Sequence, residues 1–264
     1  MTTRDKTIER VLEAAERRFG LGAVRGPGWV RDRVGAFVDA YVERTGASWE
    51  DVAAKLVADR ASMNELIASL RVGETRFLRD SAQWEAIVRH LCEKVPSVLP
   101  IHALSAGCST GEEAYTLAIL LSERKRRFQI VGVDRSFEAV QAARRGRYTA
   151  EATRELPPPL VERYFDAVDG ELCVKESLRE GVKFEVRDLT MRWPRGPFHV
   201  VLFKNVLLYL SEPVGNLVAS RLAETLAPEG FLISAASESV RLSAILDPFR
   251  IAPGVVAFRP RPQS

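Results

Sequence analysis

The chain has 264 residues, enough for one large domain or for one domain and a smaller companion. Hydrophobic residues make up 46%, charged residues 28%, and the net charge is +3, an ordinary globular composition that argues for neither a nucleic-acid binder nor a membrane-surface protein. The cysteines (Cys92, Cys108, Cys173) and histidines (His90, His102, His199) are scattered without zinc spacing, residues 1–10 are charged with no apolar signal core, and no apolar run is long enough to span a bilayer, so neither a metal nor membrane insertion is expected and the location expected is cytoplasmic.

Residues 1–75 read as helices only. Thr7 to Phe19 places Ile8, Val11, Leu12 and Ala15 on one face. A second helix is predicted from about Trp29 to Thr45, stopped by Gly46. Ser48-Trp49-Glu50-Asp51 and Ser62-Met63-Asn64-Glu65 both resemble capping boxes, which predicts helices over 49–59 and 63–70. Gly73 lies near the exit of this small helical domain.

From Ser81 a helix runs to about Glu93, and Pro96 and Pro100 lead into an apolar strand, Ile101 to Ala106. Helix 112–124, strand 128–133, helix 136–145, strands 183–186 and 199–203, helix 213–226 and strand 230–235 follow. Apolar strands alternating with helices predict an α/β fold with a mostly parallel, doubly wound sheet. The tail, Pro248–Ile251 and Val255–Arg259 about Ala252-Pro253-Gly254, reads as a closing hairpin with an antiparallel strand at the sheet edge. Residues 147–181 break the rhythm. Their Asp169-Gly170 between extended segments signals a β-hairpin, read as an inserted small subdomain.

The chemistry concentrates at the ends of strands. Leu104-Ser105-Ala106-Gly107-Cys108-Ser109-Thr110-Gly111-Glu112-Glu113 follows a strand and opens a helix, and Gly107 and Gly111 allow a tight turn and a close approach to a ligand. Alone this is compatible with simple turn chemistry. Asp134 ends the next strand, roughly 20 residues on, where an acid accepts hydrogen bonds from ribose hydroxyls; its other reading is a helix cap. Asp188-Leu189 follows the third strand and suits an adenine, the acid taking the exocyclic amine and the leucine the ring. Asn205-Val206, with Tyr209 beyond, follows the fourth. Four strand ends converging on one sheet edge imply an adenosine-type ligand, and no hydride-transfer set of Lys, Tyr or His accompanies the glycine turn.

These residues resemble the chemotaxis receptor methyltransferases, the CheR-type protein-glutamate O-methyltransferases. The resemblance rests on Val72-Gly73-Glu74-Thr75, Phe77-Leu78-Arg79-Asp80, Ser105 to Glu113, Arg145-Gly146-Arg147-Tyr148, Gly196-Pro197-Phe198, Asn205-Val206 with Tyr209, and Ser237-Glu238. It implies a Rossmann-like class I methyltransferase domain over 76–264 that binds S-adenosylmethionine and releases S-adenosylhomocysteine, with 1–75 as the helical domain and 147–181 as the family's β-subdomain. It implies cofactor contacts at Thr75, Arg79, Glu113, Asp134, Asp188, Leu189, Asn205 and Val206, beside the turn glycines Gly107 and Gly111, with Gly73 where some members have asparagine. Arg79 would lie near the cofactor carboxylate and methyl group, and Tyr209 at the reacting centre. The alternative for Arg79 is a surface salt bridge with Asp80 or another acid.

The implied partner is the cytoplasmic helical domain of a chemoreceptor, whose glutamates become methyl esters. Arg31, Arg33 and Arg25 would touch it, unless they form only a solvated face, and the hairpin insert would assist; a monomer is expected. The family pattern is not matched throughout. Lys204 replaces the usual arginine before Asn205, Arg76 and Leu78 are unusual around Phe77, Ala235-Ala236 stands for Gly-His, and Pro228-Glu229-Gly230 for Pro-Gly-Gly. None removes an implied cofactor contact, but they leave open a receptor of another chemosensory pathway, another substrate of the same fold, or a non-catalytic adaptor.

Overall fold

In the computed structural model the described residues are 1–20, 28–69 and 75–261. Four helices come first: α1 (Thr3–Phe19), α2 (Gly28–Thr45), α3 (Trp49–Ala58) and α4 (Arg60–Ser69). Helix α1 begins four residues earlier than its apolar face predicts, because Thr2 and Asp5 form a reciprocal capping box. Ser48 caps α3 as expected, its side chain accepting from the Asp51 N–H. The second predicted cap is corrected. The carboxylate of Asp59 accepts from the Ala61 and Ser62 N–H groups at 3.0 and 3.2 Å, so α4 starts at Arg60 and Ser62 lies inside it. Ile8, Val11, Leu12 and Ala15 meet Val34, Val38, Val52, Leu56, Met63 and Leu66 in one buried cluster.

The remaining elements are α5 (Ser81–Lys94), β1 (Ile101–Ala106), α6 (Glu112–Glu123), β2 (Phe128–Asp134), α7 (Phe137–Arg145), β3 (Arg147–Tyr148), α8 (Pro158–Tyr164), β4 (Phe165–Val168), β5 (Glu171–Val174), α9 (Glu176–Arg179), β6 (Val182–Val186), β7 (Phe198–Leu202), α10 (Glu212–Ala223), β8 (Leu226–Ile233), α11 (Ser239–Ser243), β9 (Asp247–Ala252) and β10 (Val255–Arg259). Seven strands form one sheet in the order β6-β2-β1-β7-β8-β10-β9. The neighbours from β6 to β8 pair in parallel, and β10 pairs antiparallel with both β8 and β9. This is the mostly parallel, doubly wound sheet that the resemblance implies.

The tail forms the closing antiparallel hairpin at the sheet edge, with β9 outermost and β10 one place inside it. The residues account for this. Val255, Ala257 and Phe258 of β10 are buried, whereas β9 carries Asp247, Pro248 and Arg250, charges and a proline that suit an edge. A second, three-stranded sheet has the order β3-β5-β4. Its hairpin turns at Asp169-Gly170, both at positive φ (53° and 80°), the turn in which Asp-Gly is preferred.

Contacts divide the chain into two units, Met1–Gly73 with Val206–Leu217, and Glu74–Asn205 with Val218–Ser264. In the first unit, Tyr209 packs on the helical core, the Ser211 N–H donates to the Gly20 carbonyl at 2.7 Å, and Gly20, in a left-handed conformation, leaves room for Val214. No described helix is long and apolar enough to cross a membrane.

Candidate functional site

In the larger unit the chain leaves β1 toward β2 and β6, then returns at β7 on the other side of β1. Open α/β sheets bind ligands beyond the carboxyl ends of their strands at such a reversal. The loop after β1 turns there through three positive φ values, at Gly107 (84°), Ser109 (49°) and Gly111 (98°). The middle place of the relaxed glycine pattern therefore also needs the left-handed region, and serine occupies it. Gly111 tolerates nothing larger, since a Cβ would lie 2.9 Å from that of Ala143 and 3.0 Å from the Phe184 ring and the Tyr148 hydroxyl.

Asp134 ends β2 and faces this loop. Its Oδ2 accepts from the Ser109 N–H at 3.0 Å and its Oδ1 from the Ser136 N–H at 2.9 Å. The cap of α7 is Ser136, so Asp134 is not that cap. Each carboxylate oxygen has a second lone pair, so a pair of ligand hydroxyls remains acceptable. The Arg187 N–H reaches the Asp134 carbonyl at 2.8 Å, which brings the end of β6 alongside. There the Asp188 Oδ1 accepts from the Thr190 N–H and hydroxyl at 2.9 and 2.7 Å, and Leu189 is buried.

Two adjacent acids open α6. Glu112 is buried, and its carboxylate accepts from the Thr110 hydroxyl at 2.7 Å and from Thr75 at 3.2 Å. Burial still pushes its pKa up against these hydrogen bonds. Glu113 accepts from the buried Ser105 hydroxyl at 2.7 Å. Burial raises its pKa too, opposed by Lys204, Ser105 and Arg79. Burial thus holds both carboxylates above their ordinary range at this edge. Burial, with Asp134 and Glu113 nearby, also holds the Cys108 thiol well above its ordinary range.

The other wall comes from residues 75–80 and the end of β7. Asp80 pairs with Lys204 at 3.2 Å. Asn205 sits at φ 59°, and its N–H donates to Glu238 Oε2 at 2.8 Å. The same oxygen takes the Ala235 N–H at 3.3 Å, so the buried Glu238 ties the ends of β7 and β8 together. Arg76 pairs with Glu155.

Contacts and strand register thus bring together Thr75, Arg79, Gly107, Gly111, Glu113, Asp134, Asp188, Leu189 and Asn205 at one sheet edge. Val206 and Tyr209 belong to the unit that contains the helices. Gly73 and Arg25 lie outside the described residues. Arg31 and Arg33 are exposed on α2, the former 3.5 Å from Glu9 and the latter donating to the Ser69 carbonyl at 3.3 Å. Ser105, Glu112, Lys204 and Glu238 were not assigned from sequence. The signal for Ser105, Glu112 and Glu238 was their place within motifs that carry the family resemblance, and for Lys204 its departure from the family's arginine. All three histidines lie away from this edge: the rings of His102 and His199 meet edge to face at the amino ends of β1 and β7, and His90 packs edge to face against Phe231.

The model of the CheR methyltransferase SAM-binding domain matches residues 73–253. The chain is 28% identical over 242 residues to chemotaxis protein methyltransferase 1 of Pseudomonas aeruginosa, covering 84% of this chain and 88% of that protein. It is 30% identical over 226 residues to the chemotaxis protein methyltransferase of Vibrio parahaemolyticus, covering 80% and 82%. Among solved structures it is similar to the N-methyltransferase NodS of Bradyrhizobium japonicum in complex with S-adenosyl-L-homocysteine, with 13% identity, 70% and 88% coverage and a TM-score of 0.42. The acid-lined edge suits a sulfonium cofactor, and with the matched domain it makes this chain a member of the CheR family of S-adenosylmethionine-dependent methyltransferases.

Proposed function

We propose that the chain methylates glutamate side chains on the cytoplasmic helical domain of a chemoreceptor, forming methyl esters. One observation carries this reading within the family. The edge offers the Arg79 guanidinium, close enough to oppose the burial of the Glu113 carboxylate and of the type that orients a carboxylate acceptor. A hydroxyl or amine acceptor must lose a proton, which calls for a base. A glutamate is already ionised near neutral pH, so the site needs only to orient it and exclude water.

S-adenosylmethionine supplies an electrophilic methyl group on a sulfonium. The chain's own residues bind and aim. Asp134 takes the ribose hydroxyls, Asp188 and Leu189 the adenine, and Thr75, Asn205 and Val206 complete the cofactor contacts assigned by the family motif. Glu113 attracts the positive end of the cofactor. Arg79 orients the acceptor carboxylate with its forked donors. Tyr209 is assigned to the reacting centre from the motif alone. Arg31, Arg33 and the β3-β5-β4 sheet serve receptor binding, in the cytoplasm.

The test is transfer of radiolabelled methyl from S-adenosylmethionine to a purified receptor cytoplasmic domain, followed by alkali. A methyl ester releases volatile methanol, whereas N-methyl and ether products keep the label. Label that is stable to alkali, or no label from a protein that binds S-adenosylhomocysteine, overturns the glutamate reading.

A further inference from the structure

Lys204 stands outside the cofactor contacts, yet its side chain is only 3% exposed. A buried ammonium is costly unless its surroundings compensate it, so its role is read from its partners. These sit on one segment far off in sequence. The Asp80 carboxylate is 3.2 Å away, the Arg79 carbonyl makes a long contact of 3.5 Å, and the Trp84 ring centroid lies 5.3 Å from Nζ.

That segment holds a backbone that needs external support. Leu78 (φ 54°) and Asp80 (φ 60°) both lie in the left-handed region, where an L side chain is disfavoured, and Arg79 is the residue between them. Such conformations persist where the surroundings over-determine them. Here the Leu78 N–H donates to the Thr116 hydroxyl at 3.1 Å, the Trp84 indole N–H donates to the Arg79 carbonyl at 2.9 Å, and Lys204 holds the Asp80 side. Asp80 makes no side-chain cap at the start of α5, which leaves its carboxylate for this pair.

We infer that Lys204 is a positioning residue: by gripping Asp80 and the Arg79 carbonyl it fixes the twice left-handed turn that presents the Arg79 guanidinium to the acceptor. This rests on the role given to Arg79 above. Lys204 also opposes the burial of Glu113. If that were its whole purpose, its loss would weaken cofactor binding and spare turnover, so the two roles separate in kcat and Kd.

The experiment compares Lys204→Met, Lys204→Arg, Asp80→Asn and the Lys204→Met/Asp80→Asn double variant. The readouts are methyl-ester kcat on the receptor domain and calorimetric Kd for S-adenosylhomocysteine. Because small misplacements of an orienting group are expensive, Lys204→Met and Asp80→Asn should each lower kcat by about tenfold or more and change Kd by less than about threefold. The double variant should be no worse than the worse single one, the signature of one shared contact. Lys204→Arg should recover kcat to within about threefold of wild type, since it keeps the charge and the reach.

A Lys204→Met enzyme with wild-type kcat, a loss confined to Kd, or losses that multiply in the double variant would each overturn the inference. Should Lys204→Met fail to fold, Asp80→Asn, at a half-exposed carboxylate, decides alone: wild-type kcat there overturns it. A wild type that binds S-adenosylhomocysteine but forms no methyl ester brings down the glutamate reading and this inference with it. An active wild type with fully active variants removes only the role of Lys204.

Discussion

At the ends of β2 and β6, and at the start of α6, the acids are held mostly by groups close by in sequence: Asp134 by Ser136, Asp188 by Thr190, Glu112 by Thr110. At the end of β7 the partners are remote: Asp80 for Lys204 and Glu238 for Asn205. Short turns close at small entropic cost and keep their shape when one ligand group is lost. The far-reaching contacts are themselves part of the tertiary structure. Substitutions on the first wall should therefore appear mainly as lost cofactor affinity, and substitutions on the second as lost stability or aim.

The strongest test of the first half is Asp134→Ala. Losing charge-assisted hydrogen bonds to ribose hydroxyls should weaken S-adenosylhomocysteine by about 100-fold, or about 2.7 kcal/mol, in calorimetry. The melting temperature should move little, because the Ser109 and Ser136 N–H groups lie in short, half-exposed turns that water can reach. An intact affinity would remove the ribose assignment, and a large loss of stability would erase the contrast between the walls.

Glu238→Ala probes the second half. It leaves the half-buried Asn205 N–H and the buried Ala235 N–H without their acceptor and releases the left-handed Asn205. The expected cost is about 2 to 3 kcal/mol, seen as a melting temperature lower by about 5 to 10 °C. Glu238→Gln keeps an acceptor oxygen and should lose less. A Glu238→Ala protein that melts with the wild type would show that this wall is not knit by its distant contacts.

What could be read from the sequence follows the same division. The apolar runs of β1 and β10 mark those strands at their observed limits, and the glycine turn with Asp134 and Asp188 marks one side of the site, because each signal sits in a short window. The start of β8 does not show. The helix expected over 213–226 and the strand expected from 230 leave Ala227-Pro228-Glu229 between them, yet Leu226 to Glu229 is drawn into the sheet opposite Phe198, with a register shift before Val200 that absorbs the irregularity. The place of β10 between β8 and β9, the burial of Lys204 and the task of Glu238 depend on what lies across the fold, and no local pattern encodes them.

Within the smaller unit the segment after Asn205 also rests on residues far off in sequence, and Gly20→Ala tests that packing. Gly20 has φ 63°, and an added Cβ would lie 2.7 Å from a Val214 methyl. Left-handed strain and overpacking together should cost about 1 to 2 kcal/mol in denaturant unfolding. Adding Val214→Ala should recover the overpacking share and leave the strain. If the second substitution only worsens the first, Val214 is not what limits Gly20.

The smallest effect expected lies at the opposite, amino-terminal edge of the sheet, where neither wall is touched. His199 Nδ1 accepts the His102 backbone N–H at 2.9 Å, which requires an unprotonated Nδ1. Burial, with the His102 ring and Arg126 nearby, lowers the His199 pKa below the usual imidazole range. The unfolded chain then binds the proton more readily than the folded one. This contribution to stability is complete above about pH 6.5 and is lost as the pH falls through that value toward the lower folded one. Glu112 and Glu113, whose pKa values are raised, act with the opposite sign: acidification through their folded values relieves buried charge. The histidine share is isolated by His199→Asn, which sets an acceptor near Nδ1 without a titrating group. Between about pH 7.5 and about pH 5.5 the variant should lose less stability than wild type in urea unfolding. Its affinity for S-adenosylhomocysteine at the higher pH should be unchanged. Parallel stability curves would mean that His199 does not titrate in this range, and a changed affinity would mean that the amino edge of the sheet communicates with the site, so that the division between the two walls is incomplete.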